Sequence, residues 1–205
     1  MSADTSRFGV EVDALAVRLR SMERPARPLV VYGSSTVRLW QEPQRDLHRP
    51  DVLAVGFGGA RLGDLQQHYD RLVAPLQPAM LVIAAGANDL ADAAVTAAQV
   101  AGRVASLVQW ARLRSGLLPV LVLTLKPSPE LDAQINRILA ANAALAGALS
   151  GSDVRLVDTC TPFLTRAARA DPRYYTTDRR HMNAAGYDRW SACLAAALPE
   201  HSLHP

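Results

Sequence analysis

The chain has 205 residues and a mass of 22.1 kDa, which is enough for one domain with a substantial hydrophobic core. Its hydrophobic content of 49%, charged content of 20% and formal net charge of +3 are typical of a soluble globular protein. All of its 22 basic residues except Lys126 are arginines, and they are scattered rather than gathered into a basic run interleaved with aromatic residues. We therefore expect no nucleic-acid partner.

Cys160 and Cys193 are the only cysteines, and their spacing matches neither a CxxC motif nor a metal site. They fit buried, reduced thiols better than a disulfide framework, although a single bridge between them stays open. Residues 1–28 contain four carboxylates and no apolar segment like that of a signal peptide. No apolar run approaches the roughly 18 residues of a membrane span. We therefore expect a cytoplasmic protein without a membrane span.

Short apolar runs alternate with segments of helical periodicity along most of the chain. Apolar runs bounded by glycine or proline are typical of buried strands. The predicted strands are 29–33, 52–55, 80–85, 119–125 and 154–158. The predicted helices are 8–22, a segment beginning at 37–40, 62–73, 92–114, 130–149, a short one near 161–169, and 183–197. This alternation predicts an α/β fold, a three-layer α/β/α sandwich with parallel strands joined by right-handed crossovers.

No internal repeat or low-complexity linker divides the chain, so one domain is predicted over residues 1–205. Within it we expect an N-terminal helix and linker at 1–28, a core at 29–198, and a tail at 199–205 that is frayed from Glu200. Asn142 is the one polar residue on the inner face of the helix predicted at 130–149. It should find a hydrogen-bond partner if it is buried.

Four groups of small or polar residues stand where this topology brings chain segments together. Gly33-Ser34-Ser35, Gly58-Gly59 and Gly86-Ala87-Asn88-Asp89 follow the first three strands, and Asp178-Arg179-Arg180-His181 precedes the last helix. In an open α/β sheet, the carboxyl ends of parallel strands border a common crevice. The four groups could therefore form one site.

The residue types in these groups match the requirements of acyl transfer. A serine hydroxyl is a weak nucleophile unless a histidine takes its proton, and the histidine needs a carboxylate on its other nitrogen. Asp178 and His181, three residues apart, can meet both needs locally. The backbone N–H groups of Ser35 and Gly59 and the side-chain amide of Asn88 are candidate donors to an oxyanion. The pattern leaves open which of the two adjacent serines is the nucleophile.

Taken in order, the four groups resemble the blocks of the SGNH, or GDSL-type, hydrolase family of esterases and lipases over about residues 29–198. That family has a serine after the first strand, a glycine after the second, an asparagine in a Gly-x-Asn-Asp turn, and an Asp-x-x-His near the end. The first block, with Lys126-Pro127-Ser128-Pro129, is similar to a bacterial branch whose first block reads Gly-Ser-Ser. The resemblance implies a flavodoxin-like five-stranded sheet of order 2-1-3-4-5. It also implies Ser35 as nucleophile, His181 as base and Asp178 as acid.

The chain departs from the commoner family pattern at two positions. Ser34 stands where an aspartate is commoner. Because that aspartate is not the acid of the triad, we expect catalysis to survive and the geometry of the first loop to differ. Met182 stands where proline is frequent, a change that we expect to be tolerated.

Two other motifs fail on single residues. Residues 56–61 lack the last glycine of a dinucleotide fingerprint, and residues 33–37 lack the second glycine of an α/β-hydrolase elbow. The tryptophans are predicted to pack rather than to bind a sugar. The remaining histidines lack a carboxylate at useful spacing and are predicted to face solvent; they are His48, His68, His201 and His204.

The residues and the resemblance together predict a serine esterase that hydrolyses carboxylic esters without a metal or cofactor. Its partner would be a small-molecule ester with a short or small acyl group, a preference that the resemblance alone implies. One alternative is a sugar or metabolite deacetylase or acyltransferase that uses the same residues. Another is a non-catalytic binding module on this fold. Neither the residues nor the resemblance predicts an oligomeric state.

Overall fold

The computed structural model describes residues 7–199, so the tail predicted to fray from Glu200, with His201 and His204, lies outside the described residues. Five strands form one sheet: β1 Leu29–Gly33, β2 Val52–Gly56, β3 Met80–Ala84, β4 Val120–Leu123 and β5 Arg155–Val157. Every adjacent pair is parallel, and the spatial order is β2-β1-β3-β4-β5. The predicted parallel sheet of order 2-1-3-4-5 is confirmed.

Helices cover both faces of this sheet. In the described part of the chain they are α1 Gly9–Ser21, α2 Ser35–Arg38, α3 Pro43–Asp46, α4 Leu62–Leu72, α5 Ala97–Ser115, α6 Ile135–Leu149 and α7 Ala184–Ala195. Side chains of β1 alternate between two hydrophobic clusters. Val30 and Tyr32 pack with α1, α4, α5 and α6, whereas Leu29 and Val31 pack with α2 and α7. The predicted three-layer α/β/α sandwich is confirmed.

The helices differ from the predicted ranges in several places. The helix predicted to begin at 37–40 is α2, which begins at Ser35 and ends at Arg38. α5 begins at Ala97 rather than 92, because Thr96 forms a capping box with Gln99. Residues 129–134 are a 3₁₀ helix, and the regular helix begins only at Ile135. The prediction of a short helix near 161–169 is wrong, because the structure has only a 3₁₀ turn there, at Thr161–Phe163. There, Leu164 bridges to Ala170 and Ala168 has φ of +54°, which a right-handed helix does not allow.

The first helix lies beside the carboxyl end of β2. The ring of Phe8 meets the ring of Phe57, the residue after β2, edge to face with centroids 5.1 Å apart. Val12, Leu15 and Leu19 of α1 are buried in the same cluster. The N-terminal segment, predicted apart from the core, therefore packs against the edge of the sheet that carries the candidate site.

Several side-chain expectations can be compared with the structure directly. Trp40 and Trp190 are buried and pack edge to face at 5.0 Å, in agreement with a packing role. His48 is exposed as predicted. The prediction that His68 faces solvent is wrong, because its ring packs against Phe57 at 5.6 Å and its burial lowers its pKa.

Both cysteines are free thiols, so the bridge left open by the sequence is absent between Cys160 and Cys193. Cys160 is buried, and this burial raises the pKa of its thiol to about 11.

Among the helices in residues 7–199, none has the length and apolar character required to cross a membrane.

Asn142 provides a hydrogen-bonded link between α6 and the end of β4. Its Oδ1 accepts the N–H of Leu125 at 2.7 Å, and its Nδ2 donates to the Leu125 carbonyl at 3.0 Å. The expectation that this residue finds a partner is confirmed. The link fixes the chain immediately before Lys126.

Asn142→Ala should lower the free energy of unfolding by about 1–3 kcal/mol, because both backbone groups of Leu125 lose their partner. Urea denaturation measures the change. Asn136→Ala, at an exposed position of the same helix, is the matched control and should change stability by less than about 0.5 kcal/mol. Equal effects of the two substitutions on the free energy of unfolding would contradict a stabilising role for the bonds between Asn142 and Leu125.

Candidate active site

The turn after β1 presents Ser35 at the start of a helix. Ser34 is extended, with φ of −93° and ψ of −150°, and its carbonyl accepts the N–H groups of Val37 and Arg38, each at 3.0 Å. α2 therefore begins at Ser35, directly after the strand. As the first helical residue, Ser35 has a backbone N–H without an intrahelical acceptor, so this donor is available to a ligand.

Three side chains predicted as a triad are joined by hydrogen bonds. His181 Nε2 lies 3.1 Å from Ser35 Oγ, and His181 Nδ1 lies 2.6 Å from Asp178 Oδ2. Because an ionised carboxylate can only accept, Nδ1 carries the proton and Nε2 is left as the acceptor for the serine hydroxyl. This chain of atoms can move a proton from Ser35 to His181 while Asp178 stabilises the resulting positive charge.

The carboxylate of Asp178 is held by four donors. Besides the imidazole, its Oδ1 accepts the backbone N–H groups of His181 and Arg180 at 2.9 Å each and the hydroxyl of Thr176 at 2.7 Å. These bonds, led by the one from the His181 backbone, hold the pKa of Asp178 well below its usual range. The carboxylate therefore stays ionised even in mildly acidic solution, although half of its side chain is exposed.

The candidate oxyanion donors stand at the ends of the next two strands. Gly59 follows β2 with φ of +72°, a conformation that favours glycine. Asn88 follows β3, and its Nδ2 donates to the carbonyl of Ala60 at 2.9 Å. This bond joins the two turns and uses one of the two amide N–H donors of Asn88. The other N–H is free to meet a substrate oxygen.

Asp89 also connects the turn after β3 with the turn after β2, through a buried side chain. It is fully buried, and its Oδ2 accepts the N–H of Leu62 at the start of α4 at 3.0 Å. Its Oδ1 pairs with Arg103 of α5 at 2.8 Å. A buried carboxylate needs such partners, and here they fix the distance between the turn after β3 and the turn after β2.

Glu11 is a site neighbour that was not among the predicted residues. Its Oε1 accepts the N–H of Gly58 at 3.0 Å and lies 3.5 Å from Arg38 Nε. The carboxylate thus fixes the peptide next to Gly59 from the N-terminal helix. No motif spacing marks Glu11 in the sequence, because the contact joins segments 47 residues apart.

Two spaces of very different size lie near the turn after β1, and only the larger is lined by His181 and Asp178. An open groove of about 740 Å³ runs past His181 between α2, α3 and α7, with Trp40, Met182 and Tyr187 in its lining. A cavity of about 40 Å³ lies beside the turn of residues 33–35, which we call the nucleophile turn, and Ser34 and Ala87 line it.

The side chain of Ser34 takes no part in the hydrogen bonds that shape the turn after β1. Its hydroxyl does not cap α2, and only its backbone holds the turn. Met182, the second departure from the family pattern, is buried in the cluster under α7. Neither departure interrupts the bonds among Ser35, His181 and Asp178.

Residues 30–189 match the GDSL-like Lipase/Acylhydrolase family, and the chain belongs to that family. Membership supports a hydrolase of ester bonds. A comparison with curated proteins found no match.

Solved structures share the fold over nearly the whole chain. A GDSL-like lipase from Bacteroides thetaiotaomicron is 21% identical with a TM-score of 0.75, and the alignment covers 95% of this chain and 96% of that one. A protein proposed to be an acylhydrolase, from Bacteroides fragilis, is 21% identical with a TM-score of 0.76 and 96% of each chain covered. The lipase/acylhydrolase from Enterococcus faecalis is 16% identical with a TM-score of 0.69, covering 86% of this chain and 100% of that one.

Glu11→Ala should speed amide hydrogen exchange at Gly58 by about tenfold, because one hydrogen bond to a charged acceptor is lost. Exchange followed by NMR measures the rate at this single N–H. Glu23→Ala, at an exposed position after α1, is the control and should leave Gly58 unchanged. Unchanged exchange in Glu11→Ala would show that Glu11 does not hold the Gly58 peptide.

Proposed function

We propose that this protein is a serine esterase that hydrolyses carboxylic esters by a Ser35-His181-Asp178 triad. The observation that carries the proposal is the continuous chain of hydrogen bonds from Ser35 Oγ to His181 at 3.1 Å and on to Asp178 at 2.6 Å. Each of the three residues has the chemical type and the partner that its role requires. The mechanism uses only the protein's own side chains and water, with neither a metal nor a cofactor.

In the proposed first step, Ser35 Oγ attacks the ester carbonyl while His181 Nε2 takes its proton. Asp178, ionised because its pKa is low, stabilises the imidazolium that forms. The tetrahedral oxyanion is stabilised by the N–H groups of Ser35 and Gly59 and by the amide of Asn88. His181 then donates its proton to the departing alcohol.

In the proposed second step, a water molecule replaces the alcohol. His181 removes a proton from this water, which attacks the acyl carbon of the Ser35 ester. The second oxyanion meets the same donors, and its collapse returns the proton to Ser35 Oγ and releases the acid. One histidine therefore acts twice as base and twice as acid.

The two spaces beside the triad suggest how the two halves of a substrate are divided. We assign the acyl group to the cavity of about 40 Å³ at Ser34 and Ala87. We assign the alcohol to the groove of about 740 Å³ along Met182 and Tyr187. This division supports a small acyl group and a wide range of alcohols.

Polar groups in the groove favour a second candidate within the same chemistry. Gln41, Glu42, Asn183 and Asp188 line the space assigned to the alcohol. Such side chains suit a hydroxyl-rich alcohol, so deacetylation of a sugar or a similar metabolite is the alternative that they support. Hydrolysis of an acetylated sugar faster than of a simple aryl acetate would favour it.

Ser35→Ala should lower kcat for p-nitrophenyl acetate by about 10⁴-fold or more, because the nucleophile is removed while the fold is kept. Ser34→Ala is the matched control at the adjacent serine: it removes only one hydroxyl from the wall of the cavity assigned to the acyl group, and it should lower kcat by about fivefold at most. Unchanged hydrolysis in Ser35→Ala would overturn the mechanism. A wild-type protein that hydrolyses no ester would favour a binding module instead.

Across a series of p-nitrophenyl esters, kcat/KM should fall by about tenfold or more from acetate to octanoate, because the small cavity cannot hold a long chain. Varying the alcohol at a fixed acetyl group should have the smaller effect. A rate that rises with acyl length would contradict the division of the site between the two spaces.

A further inference from the structure

The segment Lys126–Glu130, which follows β4, lies against the loop of residues 175–181 that contains both Asp178 and His181. We call the first segment the clasp and the second the triad loop. Neither contains an α-helix or a strand of the sheet, although Glu130 lies in the 3₁₀ helix at 129–134. Hydrogen bonds within the triad loop, such as the one from the Thr176 N–H to the His181 carbonyl at 2.8 Å, shape it locally, and contacts from the clasp add to them.

Backbone groups of the clasp and the triad loop are joined directly and through side chains. Lys126 Nζ donates to the Arg180 carbonyl at 3.2 Å, and the N–H of Glu130 donates to the Arg179 carbonyl at 3.1 Å. The hydroxyl of Tyr175 donates to the carbonyl of Pro127. These bonds hold the loop at its first residue and at the two residues before His181.

Two further contacts reinforce the clasp from the solvent side. The Arg180 guanidinium forms a forked ion pair with the Glu130 carboxylate, with Nη2 and Oε1 2.7 Å apart. Arg179 Nη2 donates to the carbonyl of Pro129 at 3.4 Å. Proline fixes φ at two positions of the clasp, which restricts the conformations open to its backbone.

The triad loop needs such support because of its own backbone. Arg179, between the acid and the base, has φ of +61°, a left-handed conformation that is unfavourable for a residue with a side chain. This turn is what brings Asp178 and His181 onto the same side of the loop. A loop without support would relax it and move the imidazole away from Ser35.

We propose that the clasp positions the triad loop, and that Lys126 is a positioning residue for His181 which acts through the carbonyl of Arg180. The proposal rests on the proposed function, because it assigns Lys126 a role in the reaction of that same site. Lys126 bonds to neither Ser35 nor the imidazole, although it also lines the small cavity assigned to the acyl group. Its effect on His181 is transmitted by the backbone and by its charge.

The charge of Lys126 is sensitive to its surroundings. Burial lowers its pKa to about 8, while the Asp178 carboxylate raises it and the Arg180 guanidinium lowers it further. The ring of Tyr175 lies 4.9 Å from Nζ. At neutral pH Lys126 is therefore a cation near Asp178, so it adds positive charge beside the Asp178–His181 pair. As the pH rises through about 8 the cation is lost, and its bond to the Arg180 carbonyl weakens.

Lys126→Met tests the proposal, since it keeps the length of the side chain but removes the donor and the charge. With p-nitrophenyl acetate we expect kcat to fall about 10- to 100-fold with little change in KM. The midpoint of the acid limb of the pH–rate profile should move to higher pH. Lys126→Arg, which keeps the cation and the donors, should restore most of the activity and the midpoint.

Ser128→Ala is the matched control inside the clasp. The Ser128 hydroxyl is buried and has no hydrogen-bond partner, so its removal breaks no bond to the triad loop. We expect wild-type kcat and an unchanged acid limb in this variant. If Lys126→Met does not fold, Glu130→Ala replaces it, because this substitution releases Arg180 from the solvent side and should lower kcat in the same direction.

A wild-type kcat and an unshifted acid limb in Lys126→Met, or in Glu130→Ala if it takes its place, would overturn the proposal. The proposal would also be overturned if Lys126→Arg and Lys126→Met lost kcat equally and had equally lowered Tm. That result would mean that Lys126 only stabilises the fold.

The downfield proton NMR signal of His181 Nδ1–H separates this outcome from failure of the proposed function. If the wild type hydrolyses no ester but shows the signal, the proposed function fails. Loss of the signal in Lys126→Met would still support the clasp, and its persistence unchanged would overturn it.

Discussion

At Gly33, three strands of the sheet and the turn that bears Ser35 lie close to one another. It pairs in register with Gly56 of β2 and with Ala84 of β3. A Cβ at Gly33 would lie 2.3 Å from the Ala84 carbonyl oxygen and 2.6 Å from Cγ2 of Val37. Without that atom, α2 folds directly onto the strand end, and Ser35 stands at the helix start. The shared register also brings the turns after β2 and β3, with their candidate oxyanion donors, to the same edge.

Loops held from outside complete both halves of the site around this rigid edge. On the side of the candidate oxyanion donors, Glu11 holds the Gly58 peptide, and Asn88 and Asp89 bond to the segment that follows it. On the other side, the clasp bonds to the loop that bears Asp178 and His181, the proposed acid and base. Functional groups on loops are common where a scaffold fixes the loop ends. Here the fixing groups come from α1, from the turn after β3 and from the segment after β4.

The fold and the candidate site were predictable from sequence to different extents. The strands were predictable because they are short apolar runs bounded by glycine or proline. The first three site blocks directly follow strands, and Asp178 and His181 lie only three residues apart. Glu11 was not predicted as a site neighbour, because its contact with Gly58 spans 47 residues without a local pattern. The bond from Lys126 to the Arg180 carbonyl, which spans 54 residues, was not predicted either. The exposure of His68 was misjudged for the same reason, since its burial beside Phe57 depends on tertiary packing.

The central claim is that Ser35, and not its neighbour Ser34, is the nucleophile activated by His181. Reaction with a fluorophosphonate followed by peptide mass spectrometry tests it most directly, because the reagent marks the activated hydroxyl without requiring knowledge of the substrate. The account predicts a single adduct on Ser35 that disappears in His181→Ala. An adduct on Ser34, or labelling of Ser35 that persists in His181→Ala, would contradict it.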